Sequence, residues 1–157
     1  MKSLVLWSSR TGNTKAIAEA VYEALPGEKD IFEEGRQPSV DGYDLIFVGF
    51  WGFRRGADFT ARRTIESLHG KKVAIFATAG TYPDSQAARD SECLGTFISQ
   101  GRVHSFHIGK RSEHAKLVHP MTPDRLARLQ EAEKHPNEDD FRRAGEWAVS
   151  MAEKAQA

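Results

Sequence analysis

The chain has 157 residues, about the size of one domain, of which 39% are hydrophobic and 28% charged. This composition excludes a disordered chain, and a formal net charge of zero argues against a protein that mainly neutralises nucleic-acid phosphates. The single cysteine, Cys93, excludes an internal disulfide and suits a reducing compartment. We expect one cytoplasmic domain over 1–157 without membrane contact, because the apolar run Leu4–Trp7 is too short for a signal-peptide core or a membrane span.

Short apolar runs rich in Val, Ile, Leu or Phe predict the strands of a parallel sheet. They do not alternate with polar residues, which is typical of strands covered on both faces. A weaker run between acidic residues, Ile31–Phe32, predicts a short edge strand. The four stronger runs are Leu4–Trp7, Leu45–Val48, Val73–Ala77 and Thr96–Ile98.

Apolar residues at helical spacing lie between and after these runs. A first helix is predicted from Ala16 to Leu25, stopped by Pro26 and Gly27. A second contains Phe59, Ala61, Ile65 and Leu68 and is closed by Gly70, and a C-terminal helix contains Phe141, Ala144, Ala148, Met151 and Ala152, with Asn137 as its cap. Alternating strands and helices predict an α/β fold with right-handed crossovers.

Residues 101–137 form a long connection before the last helix. Within it, Thr122 and Pro123 have the types expected at the cap and first position of a helix. Leu126, Leu129 and Ala132 would then face the body of the domain. Connections of this length in compact domains are usually functional or mobile.

The strongest chemical signal is the segment Ser9, Arg10, Thr11, Gly12, Asn13 and Thr14, directly between the first strand and the first helix. Three hydroxyls around a glycine, next to the free N–H groups of a helix start, can hold a phosphate without lysine or metal. The pattern is neither a P-loop nor GxGxxG. A helix-capping cluster is the structural alternative, since any strand-to-helix turn favours such residues.

Ser9-x-Thr11-Gly12-x-Thr14 after an N-terminal strand resembles the FMN phosphate loop of flavodoxins. The resemblance implies a flavodoxin-like three-layer α/β/α sandwich with a five-stranded parallel sheet in the order 2-1-3-4-5. It also implies FMN as cofactor, bound where the strand order reverses.

The flavin ring would then lie over the loops after the third and fourth strands. Each loop carries glycine and an aromatic residue, so Trp51 and Tyr82 are expected to stack on the ring; packing within the protein is the alternative. By resemblance, Gly52 is the candidate for the peptide that reorients to meet flavin N5–H. The full expected set in these loops is Phe50, Trp51, Gly52, Phe53, Thr78, Ala79, Gly80, Thr81 and Tyr82.

The segments 44–51, 82–85 and 119–122 resemble a subgroup, the stand-alone flavodoxin-domain proteins of anaerobic bacteria that include those encoded beside bilirubin reductase. The chain departs from electron-carrier flavodoxins in its neutral charge and in the connection from Ala79 to Cys93, where few apolar residues predict only a short crossover helix. Negative charge near the flavin disfavours its reduced anion, so the neutral charge argues against a very low reduction potential.

The residues leave three functions open. The first is an electron-transfer protein that shuttles electrons from a reductase to an acceptor enzyme, as a monomer or weak homodimer. The second is an FMN-dependent NAD(P)H reductase of quinone-like molecules, and the third is a flavin-free accessory subunit. Arg54, Arg55, Arg62 and Arg63 form either a docking surface for an acidic partner or a solvated face. No catalytic residue and no metal site is predicted, because His104 and His107 lack carboxylate or cysteine neighbours.

Overall fold

A computed structural model describes residues 1–53, 56–79, 92–102 and 120–157. Its strands are β1 Lys2–Trp7, β2 Glu28–Glu33, β3 Leu45–Phe53, β4 Gly56–Ala57, β5 Lys72–Ala79 and β6 Glu92–Gln100. Every strand predicted from the sequence is present, including the edge strand.

Five of the strands form one parallel sheet in the order β2-β1-β3-β5-β6, which confirms the predicted 2-1-3-4-5 arrangement. The short β4 pairs antiparallel with the end of β3 and lies outside this order. Because the five strands run in one direction, all their carboxyl ends lie at one edge of the sheet. Strand order reverses at β1, where a crevice is expected.

The described residues contain four helices: α1 Asn13–Ala24, α2 Phe59–Ser67, α3 Pro123–Ala132 and α4 Glu138–Gln156. The predicted caps are confirmed for two of them. The Thr122 side chain accepts the Arg125 N–H before α3, and Asn137 forms a reciprocal capping box with Asp140 before α4. Among the described residues, no helix is long and apolar enough to cross a membrane.

Alternate strand residues divide the core between the two faces of the sheet. One face packs against α1 and α4 and contains Val5, Phe47 and Phe76, whereas the other packs against α2 and contains Leu6, Val48 and Ile75. Both faces are covered, which explains why the strands appear in the sequence as continuous apolar runs.

The structure corrects the predicted loops at the flavin edge. Strand β3 continues to Phe53 and turns back as β4, so Phe50, Trp51, Gly52 and Phe53 belong to a strand rather than a loop. The cause is backbone pairing: Trp51 pairs with Thr78 of β5 and Gly52 with Ala57 of β4, which the glycine-rich composition of the segment does not reveal. Thr78 and Ala79 likewise belong to β5.

Two predicted core residues are exposed. Phe59, at the first position of α2, is 74% exposed, and Leu126 of α3 is 48% exposed. Phe59 lies two positions before the buried Ala61, so the two side chains point to opposite sides of α2. Leu126 lies in the first turn of α3, a helix whose residues are mostly exposed. Ala132 at the end of α3 is buried, as the sequence predicts.

Candidate functional site

The loop after β1 lies at the carboxyl edge of the sheet and begins α1. Gly12 precedes the helix in the left-handed conformation, with φ of 94°, which favours glycine. Its N–H donates to Ser9 Oγ at 3.0 Å, and its carbonyl accepts the Ala16 N–H at 3.0 Å. The local sequence therefore folds into a tight turn that opens directly onto the helix start.

No side chain caps α1, and its first turn carries no acidic residue. The other three described helices are each capped by a side chain, from Asp58, Thr122 and Asn137. The first N–H groups of any helix lack acceptors within the helix and carry the positive end of its dipole. The start of α1 is thus a set of donors suited to an external anion.

A buried hydrogen bond joins this helix start to the sheet. The Thr14 and Thr78 hydroxyls lie 2.8 Å apart, and the two residues are 1% and 3% exposed. Either hydroxyl can donate, so one proton of the pair remains free for a further acceptor. The sequence predicted both residues near the cofactor but missed this bond, because it spans 64 positions.

Two more contacts draw the predicted residues together. The Arg10 guanidinium lies 5.7 Å from the centre of the Trp51 ring, in cation–π geometry. Trp51 is the neighbour of Thr78 in the register of β3 and β5. On the other side of the loop, Asn13 Nδ2 donates to the Arg102 carbonyl at 2.9 Å. The phosphate-loop candidates and Trp51 therefore occupy one region of the carboxyl edge.

Other predicted site residues lie elsewhere or outside the described residues. Phe50 is only 4% exposed and belongs to the core beneath α2, so its ring is not presented at this edge. The backbone of Gly52 and Phe53 lies in the hairpin beside Trp51. The positions outside the described residues are Gly80, Thr81, Tyr82, Arg54, Arg55, His104 and His107.

Sequence reasoning missed two buried carboxyl groups at the same edge. Glu34 directly follows β2, and Asp58 directly precedes α2; they are 7% and 5% exposed. An aspartate before an apolar helical pattern is a capping signal, so Asp58 could have been found. Nothing local to Glu34 predicts its burial, which depends on α2 packing over the end of β2.

The donor set at the start of α1 matches the chemistry of a phosphate group. It combines helix N–H groups, the exposed Thr11 and the Ser9 hydroxyl, with no carboxylate in the first helical turn to repel an anion. Arg10 adds a cation, and Trp51 adds a half-exposed aromatic face nearby. An anion linked to a flat ring system fits this combination.

Comparison with known proteins gives a family match over most of the chain. The model of the flavodoxin domain family matches residues 4–149. A flavodoxin-like domain-containing protein, BilS, of Clostridioides difficile is 33% identical, with 99% of this chain and 98% of that protein covered.

Solved structures share the fold at low sequence identity. A flavodoxin from the domain Archaea superposes with a TM-score of 0.67 at 15% identity and covers 100% of both chains. A flavoprotein from Lactobacillus acidophilus, solved in complex with FMN, has a TM-score of 0.52 at 16% identity, covering 69% of this chain and 97% of that one.

The Thr14–Thr78 bond generates a stability prediction. Thr78→Val keeps the shape but leaves the buried Thr14 hydroxyl without this partner, so we expect a loss of about 1–3 kcal/mol in the free energy of unfolding. Urea denaturation of the apoprotein measures it. Thr14→Val combined with Thr78→Val removes both groups and should cost less than the sum of the single variants. Additive losses would contradict the assignment.

Proposed function

The chain belongs to the flavodoxin domain family, and on that premise we propose that it is an FMN-binding electron-transfer protein that serves a reductase and an acceptor enzyme. Family membership makes FMN its cofactor. The observation that carries the proposal for this chain is the uncapped start of α1, with its hydroxyl loop, beside Trp51 at the carboxyl edge.

We assign the phosphate of FMN to the turn before α1. The helix N–H groups and the Thr11 hydroxyl would donate to its oxygens, and Ser9 Oγ, which already accepts the Gly12 N–H, has its own proton free to donate. Thr14 would contribute its hydroxyl proton if Thr78 donates within their pair. Since no side chain competes for the α1 donors, binding displaces no internal cap.

We assign one face of the flavin ring to Trp51. Trp51 lies next to Thr78 at the carboxyl end of the central strands, which places its indole close to the phosphate loop. Arg10 lies over the same indole and brings a positive charge to the site. FMN supplies transfer of one or two electrons through its ring; the protein's task is to bind the ring, limit its contact with water and leave one edge accessible.

The partner surface is assigned to α2, which follows the hairpin that carries Trp51. Arg62 and Arg63 are exposed, and within the described ranges neither guanidinium forms an ion pair. Unpaired arginines on one helix favour an acidic partner, and they steer its approach more than they strengthen the complex.

The phosphate assignment predicts weaker binding in a hydroxyl-deficient loop. Thr11→Ala together with Thr14→Ala should weaken FMN binding at least tenfold, because hydrogen bonds to a charged group contribute about 1.5–3 kcal/mol each. Fluorescence titration of the apoprotein with FMN measures the affinity. Thr60→Ala, which changes an exposed threonine in the first turn of α2, is the control. Thr11→Ala alone leaves the buried Thr14–Thr78 bond intact, so it separates the loss of a phosphate contact from the loss of that bond. Unchanged affinity would remove the loop from the site.

The stacking assignment predicts a redox effect. Trp51→Ala should shift the reduction potential of bound FMN and restore part of its fluorescence, because an indole on the ring face alters both. Potentiometric titration of the loaded protein measures the shift. Trp147→Phe is the control, since Trp147 packs against Phe47 and Phe97 in the α4 core. Equal potentials in Trp51→Ala and the unaltered protein would exclude the contact.

Electron transfer itself separates the proposal from the alternatives. The FMN-loaded protein should be reduced by NADPH only when a flavodoxin reductase is added, and should then reduce cytochrome c. If Arg62 and Arg63 guide an acidic reductase surface, the rate should fall as ionic strength rises. Oxidation of NAD(P)H by the chain and a quinone without reductase would favour the reductase function. Failure to bind FMN would favour an accessory subunit.

A further inference from the structure

Glu34 and Asp58 bring two carboxyl groups into the core beneath α2. Each has one satisfied oxygen: Glu34 Oε2 accepts the Thr64 hydroxyl at 3.2 Å, and Asp58 Oδ1 accepts the N–H groups of Thr60 and Ala61 at 3.0 and 3.2 Å. The other two oxygens, Glu34 Oε1 and Asp58 Oδ2, are buried and have no hydrogen-bond partner among the described residues. Two buried acceptors without a donor are costly.

The surroundings of Glu34 disfavour a second negative charge. Burial and the Asp58 carboxylate, in that order, raise the pKa of Glu34 to about 8, and the Thr64 hydroxyl opposes them only in part. Strand β1 presents the Trp7 carbonyl, which accepts the Glu34 N–H at 2.9 Å. The adjacent Glu33 pairs with Arg36 at 2.9 Å, and no ion pair reaches Glu34 from the described residues.

Protonation removes the charge that burial penalises. We infer that Glu34 is a neutral carboxylic acid at pH 7, and that its neutral state lets α2 and the β3–β4 hairpin pack over the end of β2 beside the flavin site. A protonated carboxyl is a donor as well as an acceptor, and Asp58 keeps its place as the N-cap of α2. Glu34 is a positioning residue, because it acts through the hairpin.

The geometry explains why this bond bears on FMN. Glu34 is held to the end of β1, immediately before the phosphate loop. Asp58 directly follows β4, which pairs with the part of β3 that follows Trp51. Ionisation of Glu34 adds a negative charge in the core within the electrostatic influence of Asp58, which disfavours the packing of these two segments. The effect on FMN rests on the proposed function, whereas the proton itself is testable in the apoprotein.

The sign of the pH dependence follows from proton binding. An unfolded glutamate loses its proton near pH 4.5, whereas folded Glu34 keeps it up to about pH 8. Between these values the folded state binds one more proton, so stability falls as pH rises and the loss is complete above about pH 8. A single proton changes the unfolding constant by about tenfold per pH unit in that range.

Glu34→Gln tests the inference, because glutamine has nearly the same shape as glutamic acid and stays neutral at every pH. In urea denaturation of the apoprotein, the ratio of the wild-type unfolding constant to that of Glu34→Gln should rise with pH between about 4.5 and 8.

Infrared spectra of the wild-type protein at pH 7 should show a protonated-carboxyl band that Glu34→Gln lacks. Glu66→Gln, an exposed glutamate of α2, is the control and should retain the band. Parallel stability profiles, or an unchanged band in Glu34→Gln, would overturn the inference.

Asp58→Asn is the second variant, since asparagine still caps a helix and removes the charge that opposes ionisation of Glu34. It should lower the pH at which the infrared band is lost; an unchanged pH would exclude an effect of the Asp58 charge on Glu34. For function, the affinity of the wild-type protein for FMN should weaken above about pH 8 relative to that of Glu34→Gln. Comparing the two proteins at each pH removes the contribution of FMN's own titration. Equal pH profiles would overturn the positioning role. Absence of FMN binding in both would overturn the proposed function and leave the stability and infrared tests to decide on the proton.

Discussion

The buried hydrogen bond between Thr14 and Thr78 is the interaction on which the candidate site depends. Parallel strands bring their carboxyl ends to one edge, but that alone does not hold a loop in place. This bond attaches the start of α1 to the end of β5, and it does so away from water, where an unpaired hydroxyl is costly. Thr14 follows the turn of Ser9 and Gly12, and Thr78 is the register neighbour of Trp51, so the bond joins the two parts of the candidate site.

Most of the fold follows from the sequence because each face of the sheet is covered. Unbroken apolar runs then predict strands, helical spacing predicts the crossovers, and capping residues such as Thr122 and Asn137 locate helix starts within a residue. The hairpin of β3 and β4 could not be read this way. Gly52 and Ala57 have the composition of a loop, and only their pairing makes a strand of that segment.

The same distinction, between features visible in the local sequence and features that depend on tertiary contacts, applies to the site residues. The loop from Ser9 to Thr14 is contiguous, so its hydroxyl spacing is visible in the sequence, and the structure brings it next to Trp51. Phe50 illustrates the limit: it stands beside Trp51 in the sequence, but the side chains of successive strand residues point to opposite faces, which buries its ring under α2. The state of Glu34 depends on residues 24 or more positions away, through the charge of Asp58 and the hydroxyl of Thr64, which local composition cannot reveal.

The proton of Glu34 changes the charge of the chain at neutral pH, because the formal net charge of zero counts every glutamate as ionised. A carboxylate that is protonated contributes no negative charge to the carboxyl edge, and Arg10 over Trp51 contributes a positive one. Reduction adds negative charge to a flavin, which is easier where fixed anions are few and a cation is near. On these assignments, the reduction potential of bound FMN is less negative than in strongly acidic flavodoxins, and ionisation of Glu34 lowers it. On the same assignments, the protonation state of Glu34 acts on both FMN binding and the reduction potential, so the two are coupled through one proton.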